Sequence, residues 1–252
     1  MTVTSQAAPR RLYARHAEAA DRGRWSVERD VQWDAIDVAL ARSQPAILDA
    51  LRDAALIEAY HPVNLAALLA ETWEDVDAGV VFSLELYEGF KHFHVLRRYL
   101  EAVGHEPALT DDAIVAGRRA AIAESALAAP DGLIERLVEF MLSEHLAGYF
   151  FRRLAGQSAE PVLAALLGRI ADDEVRHAQS ASDLLEKRLA ADPSLTARVL
   201  DAAIGFRHYG ARVVGDVPVA MPGDEVAIRT FAKRIERLSG VRLVDHIASK
   251  IR

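Results

Sequence analysis

The chain has 252 residues, 51% of them hydrophobic and 27% charged, the balance of a folded globular protein rather than a disordered one. Its formal charge of -7 argues against general nucleic-acid binding, which calls for a basic surface. There is no cysteine, so disulfides, zinc–thiolate sites, iron–sulfur clusters and cysteine nucleophiles are excluded, and any metal must be held by His, Asp and Glu.

Met1 to Arg10 lacks the apolar core of a signal peptide, and no apolar run is long enough to span a bilayer, so a cytoplasmic protein is expected. Residues 1–25 are Arg-rich with little periodicity and read as a flexible, solvated basic arm, or alternatively as a docking surface for an acidic partner. Residues 26–252 read as one all-α domain. From Trp25 to Ser43 the apolar positions Val27, Val31, Trp33, Ile36, Val38 and Leu40 fit a striped helix that stops at Ser43-Gln44-Pro45. A second helix runs from Ala46 to about Tyr60, where Pro62 predicts a break or kink. Val63 to Val103 reads as one long helix, or two in line, ended by Gly104 and Pro107.

Thr110-Asp111-Asp112 caps a helix to about Ala128, and Pro130-Asp131-Gly132 is a turn. Helices are then expected over Leu133–Leu154, Ser158–Ala191 and Leu195–Val214. A loop over 216–223 follows, then two short helices over 224–238 and 241–251. No strand, repeat or low-complexity tract is evident.

Chemistry enters where carboxylates interrupt apolar stripes. Glu174 and His177 stand three residues apart, so a helix presents both on nearly the same face, as a bundle does when it offers a carboxylate and an imidazole to one metal ion. Glu58 follows Leu56-Ile57, and Glu144 lies inside the apolar run Leu137–Leu146. The aromatic-rich stretch Phe82–His94 holds Glu85, Glu88, His92 and His94. Buried carboxylates are costly unless paired or metal-bound, and salt bridges with Arg97, Arg152 and Arg176 are the alternative. His94 and His145 lie about 100° around the helix from the neighbouring candidate ligands and read as structural or surface groups.

In this order the motifs resemble those of the soluble acyl-acyl-carrier-protein desaturases, a di-iron family with a ferritin-like four-helix bundle core. The similarity runs from about Leu51 to Ile251. Ile57-Glu58-Ala59 with Pro62 resembles the first lone glutamate, and Glu88 through Leu100 resembles the Glu-Glu-x-Arg-His helix and its closing Lys-Tyr-Leu. Glu144 stands where the third helix carries its lone glutamate. Asp173-Glu174-Val175-Arg176-His177 matches Asp-Glu-x-Arg-His, and Arg237–Val241 is similar to the Arg-Leu-Gly-Val after the bundle. The resemblance implies two iron ions, with a Mn/Fe pair as the variant, held by Glu58, Glu88, His92, Glu144, Glu174 and His177. Asp173 would steady His92 from behind.

Two positions depart from the pattern. Aligned on His92, a ligand glutamate falls on Gly89, so Glu88 is expected to serve, with Glu85 and His61 in reserve; His61 makes an extra Glu-x-x-His with Glu58. Ala147 stands where the family carries a threonine. The expected function is O2-dependent oxidation of an unactivated C–H bond in an acyl chain on acyl-carrier protein or in a small molecule. A ferredoxin-type electron donor and a homodimer are implied. A di-iron hydroxylase or N-oxygenase and a ferritin-like iron-handling protein are the rival readings.

Overall fold

The computed structural model describes residues 11–128, 132–215 and 225–251. Among these residues there is no strand, and the expected all-α, ferritin-like architecture is what the chain forms. The helices are α1 (Leu12–Gly23), α2 (Val27–Asp30), α3 (Val38–Arg42), α4 (Pro45–Glu71), α5 (Val76–Val103), α6 (Asp111–Ala128), α7 (Leu133–Gln157), α8 (Pro161–Ala191), α9 (Thr196–Ile204), α10 (Ala211–Val214), α11 (Glu225–Ser239) and α12 (Leu243–Ile251). Short connections make α4 and α5 one antiparallel pair and α7 and α8 another. Between the pairs the chain crosses over through α6, which packs on α4 and α10.

Several boundaries differ from the sequence reading. Helix α4 runs straight through Pro62. Leu51 and Ala55 before the proline and Leu65 and Leu68 after it are all buried, and this packing outweighs an interior-proline cost of about 3 kcal/mol. The turn falls instead at 72–75, where Thr72 closes α4 through an Oγ1–Leu68 carbonyl bond of 2.7 Å. Asp75 then caps α5 by accepting from Asp77 N at 3.1 Å and Ala78 N at 3.3 Å. The stretch 25–43 is broken into α2, a 3-10 turn over Trp33–Ala35, and α3. The expected helix over 195–214 is interrupted at 205–210, where Tyr209 enters the core; just beyond, in α10, Arg212 is buried and pairs with buried Glu139. The expected loop at 216–223 lies outside the described residues.

The N-terminal segment is likewise not a free arm from residue 12 onward. Helix α1 lies against α5 and α8. Tyr13 N donates to Asp77 Oδ1 at 3.0 Å, His16 Nε2 sits 3.1 Å from Asp183, and Arg15 sits 3.4 Å from the same carboxylate. Arg15 and His16 thus face an acid of the bundle, while Arg22 and Arg24 pair with Glu18 and Asp21 of the same segment.

The core is divided along the bundle axis. One apolar cluster gathers Leu51, Ala55, Leu96, Tyr99, Leu163 and Leu167; the other gathers Leu65, Phe82, Leu137, Phe140, Met141 and Leu184. Between them all four long helices bring in polar residues, so a buried polar belt separates two dry halves. At one end Glu160, fully buried, caps α8 by accepting from Val162 N at 3.2 Å and Leu163 N at 2.7 Å. It also accepts from the Tyr99 hydroxyl of α5 at 2.9 Å. Tyr99→Phe leaves this carboxylate short of a donor, and an expected loss of about 1–3 kcal/mol lowers Tm by several degrees in calorimetry. An unchanged Tm would show that Tyr99 contributes only its ring.

Candidate metal centre

Each long helix delivers its polar residues at helical spacing, so they reach the belt on one face. Helix α4 brings Glu58 and His61, and α5 brings Glu85, Glu88 and His92. Helix α7 brings Glu144, and α8 brings Asp173, Glu174 and His177; all are buried. Two triads form, Glu58–His92–Glu174 and Glu144–Glu174–His177, each offering one donor atom per residue within 4.8 Å of the others. Glu174 belongs to both. Its Oε1 lies 2.8 Å from His92 Nδ1, and its Oε2 lies 3.3 Å from His177 Nδ1. Glu58 Oε2 is 3.9 Å from His92 Nδ1, and Glu144 Oε2 is 3.3 Å from His177 Nδ1.

The outer nitrogens of both histidines are held in matching fashion. His92 Nε2 meets Asp173 Oδ2 at 2.9 Å, and His177 Nε2 meets Glu88 Oε2 at 2.8 Å. Two cations link these carboxylates: Arg176 lies 2.8 Å from each, and Lys91 Nζ lies 3.0 Å from Asp173 and 3.8 Å from Glu88. Trp25 Nε1 donates to Asp173 Oδ2 at 2.8 Å, and its ring stacks on His92 at 6.4 Å. Asp173 thus meets His92 on the side of the ring opposite Glu174. Glu88 comes to the site on the far side of His177, outside both triads.

Burial makes these charges interdependent. It pushes Glu58 up to about 8, aided by the Glu174 charge, and pushes Glu144 well above the carboxylate range. Burial would raise Glu174 too, but the hydrogen bond from Glu144 and the positive charge of His92 hold it well below. Burial alone would lower His92, whereas the Glu174 charge and the Asp173 hydrogen bond raise it to about 9. For Asp173, burial is outweighed by the His92 hydrogen bond and by Lys91 and Arg176, so it stays ionised.

The donor set fits metal ions. His92 Nδ1 and Glu174 Oε1 face each other at 2.8 Å, yet neither has a hydrogen-bond partner. Buried carboxylate oxygens and imidazole nitrogens converging in two triads suit divalent ions such as iron or manganese.

The remaining candidates divide. Glu85 is buried with neither carboxylate oxygen partnered, and burial pushes it up to about 8; it lines a small cavity beside His177 and Glu88. His61 lies beside Gly89, with Nδ1 3.1 Å from the Tyr209 hydroxyl. His94 is exposed, and His145 is buried against Thr230 at 3.2 Å, away from the triads. Sequence reasoning missed Tyr209, Trp25 and Lys91. Lys91 had a signal, since it precedes His92 as Arg176 precedes His177; Tyr209 and Trp25 lie outside the long helices and had none.

No protein-family model matches the chain. A Mycobacterium tuberculosis protein assigned as an acyl-[acyl-carrier-protein] desaturase, DesA2, is 44% identical over 52 residues, which span 21% of this chain and only 19% of that protein's length. A mutant R2-like ligand-binding oxidase with an aerobically reconstituted Mn/Fe cofactor shares the fold across 95% of both chains, with a TM-score of 0.55 and 19% identity. Fold and site together define a ferritin-like bundle whose buried carboxylates and histidines can hold a two-metal cofactor.

With metal stripped, Glu58 and Glu85 stand near 8 against an ordinary 4.5, and His92 near 9 against 6.5. Each binds its proton more tightly when folded, so its contribution is complete below the ordinary value and lost as pH rises through the folded one. His61, His145 and His208 are lowered and act oppositely, but only below their ordinary 6.5. The Tm of chelator-treated protein is therefore expected to fall between about pH 7 and pH 9, and added Mn(II) to reverse the fall while releasing protons. Scanning calorimetry and a pH indicator check this; a rising Tm would contradict the charge arrangement.

Proposed function

We propose that the chain is an O2-dependent oxidoreductase holding two iron ions, or a manganese–iron pair, and oxidising an unactivated C–H bond in an acyl or related substrate. The observation that carries this is Glu174, one carboxylate turned with an oxygen toward each of two buried Glu/His triads. Glu58 and His92 would hold one ion, Glu144 and His177 the other, and Glu174 both. Bound there, the pair supplies reduction of O2 to an oxidant strong enough for C–H cleavage.

The chain's own residues prepare that chemistry. Asp173 and Glu88 accept from the outer nitrogens, which orients both rings so that each Nδ1 points at the triad where it would bind an ion. Glu88 is thus assigned to orient His177 rather than to bind an ion. His177 and Arg176 keep Glu88 charged, His92 with Lys91 and Arg176 keeps Asp173 charged, and Trp25 stacks over His92. The apolar halves of the core keep the centre dry.

A groove of about 440 Å3 lies between α7, α8 and α11. Gly148 lines it, and an added Cβ there would lie 3.5 Å from Glu174 Cβ. Arg152, Lys233, Arg234 and Arg237 line it, which suits an acyl group delivered on an acidic carrier protein, and the short DesA2 match supports an acyl-carrier substrate. A ferredoxin-type electron donor, a homodimer and a cytoplasmic setting complete the reading.

Anaerobic loading with Fe(II) is expected to give about two irons per chain, and Glu174→Ala less than one, because that change removes a donor from both ions. Oxygen uptake by the loaded protein with acyl-carrier substrates, followed by product mass spectrometry, then separates desaturation from hydroxylation or N-oxygenation. Iron uptake far beyond two per chain would mark an iron-handling protein instead. Absence of bound iron in the wild type would overturn the reading.

A further inference from the structure

The groove between α7, α8 and α11 gathers positive charge that the protein itself does not neutralise. Its volume of about 440 Å3 falls in the usual range for sites that hold small organic molecules. Three cations of α11 line it, Lys233, Arg234 and Arg237. Residues three and four apart share a helical face, so the three reach the same side of α11 together. Arg152, which also lines the groove, differs, because Asp172 already holds its guanidinium at 2.6 Å. Among the described residues none of the three α11 cations has a carboxylate in ion-pair contact, and the groove's own acid is Glu186. Three cations against one carboxylate leave two positive charges in a concavity of a chain whose formal charge is -7.

Arg234 is the most constrained of the three. Its Nη1 donates to the Ala178 carbonyl at 3.2 Å and to Gln179 Oε1 at 3.4 Å, which anchors the guanidinium on α8. Both acceptors are neutral, so they orient the charge without cancelling it. Burial and the neighbouring Arg237 charge lower Arg234 from the usual guanidinium value. Asp183 opposes this, but that carboxylate is already engaged by Arg15 and His16. Further along α8 the groove turns apolar. Val175, four residues before Gln179, is 46% exposed there. Gly148 faces it, and an added Cβ at 148 would lie 3.3 Å from Val175 Cγ2. The α8 wall, residues 175–186, spans about 16 Å.

We propose that this groove binds an organic phosphate, its oxyanion held by Arg234 and Arg237 with Lys233 and its apolar body lying toward Gly148 and Val175. The two surplus charges match a phosphate monoester, which carries about -1.5 to -2 near neutral pH, better than the single charge of a carboxylate. Guanidinium groups suit the task because their planar forks pair with phosphate oxygens two at a time. The inference rests on the reading above only in taking the bound molecule to be the substrate; the binding itself needs no metal.

Octyl phosphate is the probe, with inorganic phosphate and octanoate as comparisons, titrated calorimetrically into the full chain as purified and after chelator treatment. One octyl phosphate per chain is expected in both preparations, with inorganic phosphate and octanoate at least tenfold weaker. Arg234→Ala and Arg237→Ala should each weaken octyl phosphate about tenfold, and Arg152→Ala less than threefold. Arg237 is exposed, so its variant carries the test should Arg234→Ala fail to fold. Equal losses from all three variants would reveal diffuse attraction instead of a site and overturn the proposal. So would octanoate binding as tightly as octyl phosphate, binding confined to metal-containing protein, or no saturable binding. Each of these leaves the two-metal reading standing, since iron loading tests that separately. A chain that binds octyl phosphate but takes up no iron would overturn that reading and keep this site.

Discussion

The structure depends on neutralising a belt of buried charge. Glu58, Glu144 and Glu174 lie within a few ångströms of two imidazoles, in an interior where an isolated carboxylate is strongly disfavoured. No apolar repacking of one side chain satisfies this constraint, because every long helix contributes to it. It explains why Asp173, one residue from a ligand, is itself buried and carries four partners. It also explains why Lys91 and Arg176 cross between α5 and α8. They join the two carboxylates that hold the histidines from behind and so bind the two helix pairs to each other.

The centre has an inner and an outer ring with approximate two-fold correspondence. Inside, Glu174 faces His92 with one oxygen and His177 with the other; outside, Asp173 and Glu88 play matching parts. The correspondence ends at position 89. On α8 an acid directly follows Asp173, whereas on α5 a glycine follows Glu88, and the ring of His61 lies over it. The asymmetry is built into the backbone, since any Cβ at 89 meets that ring.

Much of this was legible in the sequence. The all-α class, the positions of α6, α7 and α8, and the helices that carry acids inward followed from apolar periodicity and from carboxylates interrupting it. What escaped depended on tertiary packing. The continuity of α4 through Pro62 reflects burial on both sides of the proline, which local propensity does not register. The broken stretch 25–43 has elements too short for a periodicity to report. The side of His177 on which Glu88 falls is set by the placement of α5 against α8, because residues three and four before a histidine lie near the same helical face. Tyr209 enters from an irregular segment whose course is fixed by Ser143 and by the close approach of Gly210 to Ile57.

The divided core gives the bundle an unusual mechanical character. Its helices are continuous, but its apolar packing is two blocks in series, and the seam between them is polar. Across such a seam, cooperativity is carried by charge and coordination instead of by interdigitated side chains. Dications seated there would tie the two blocks together. Without them the seam would be held by ion pairs alone, and the coupling between the halves would weaken before either apolar block lost its own packing.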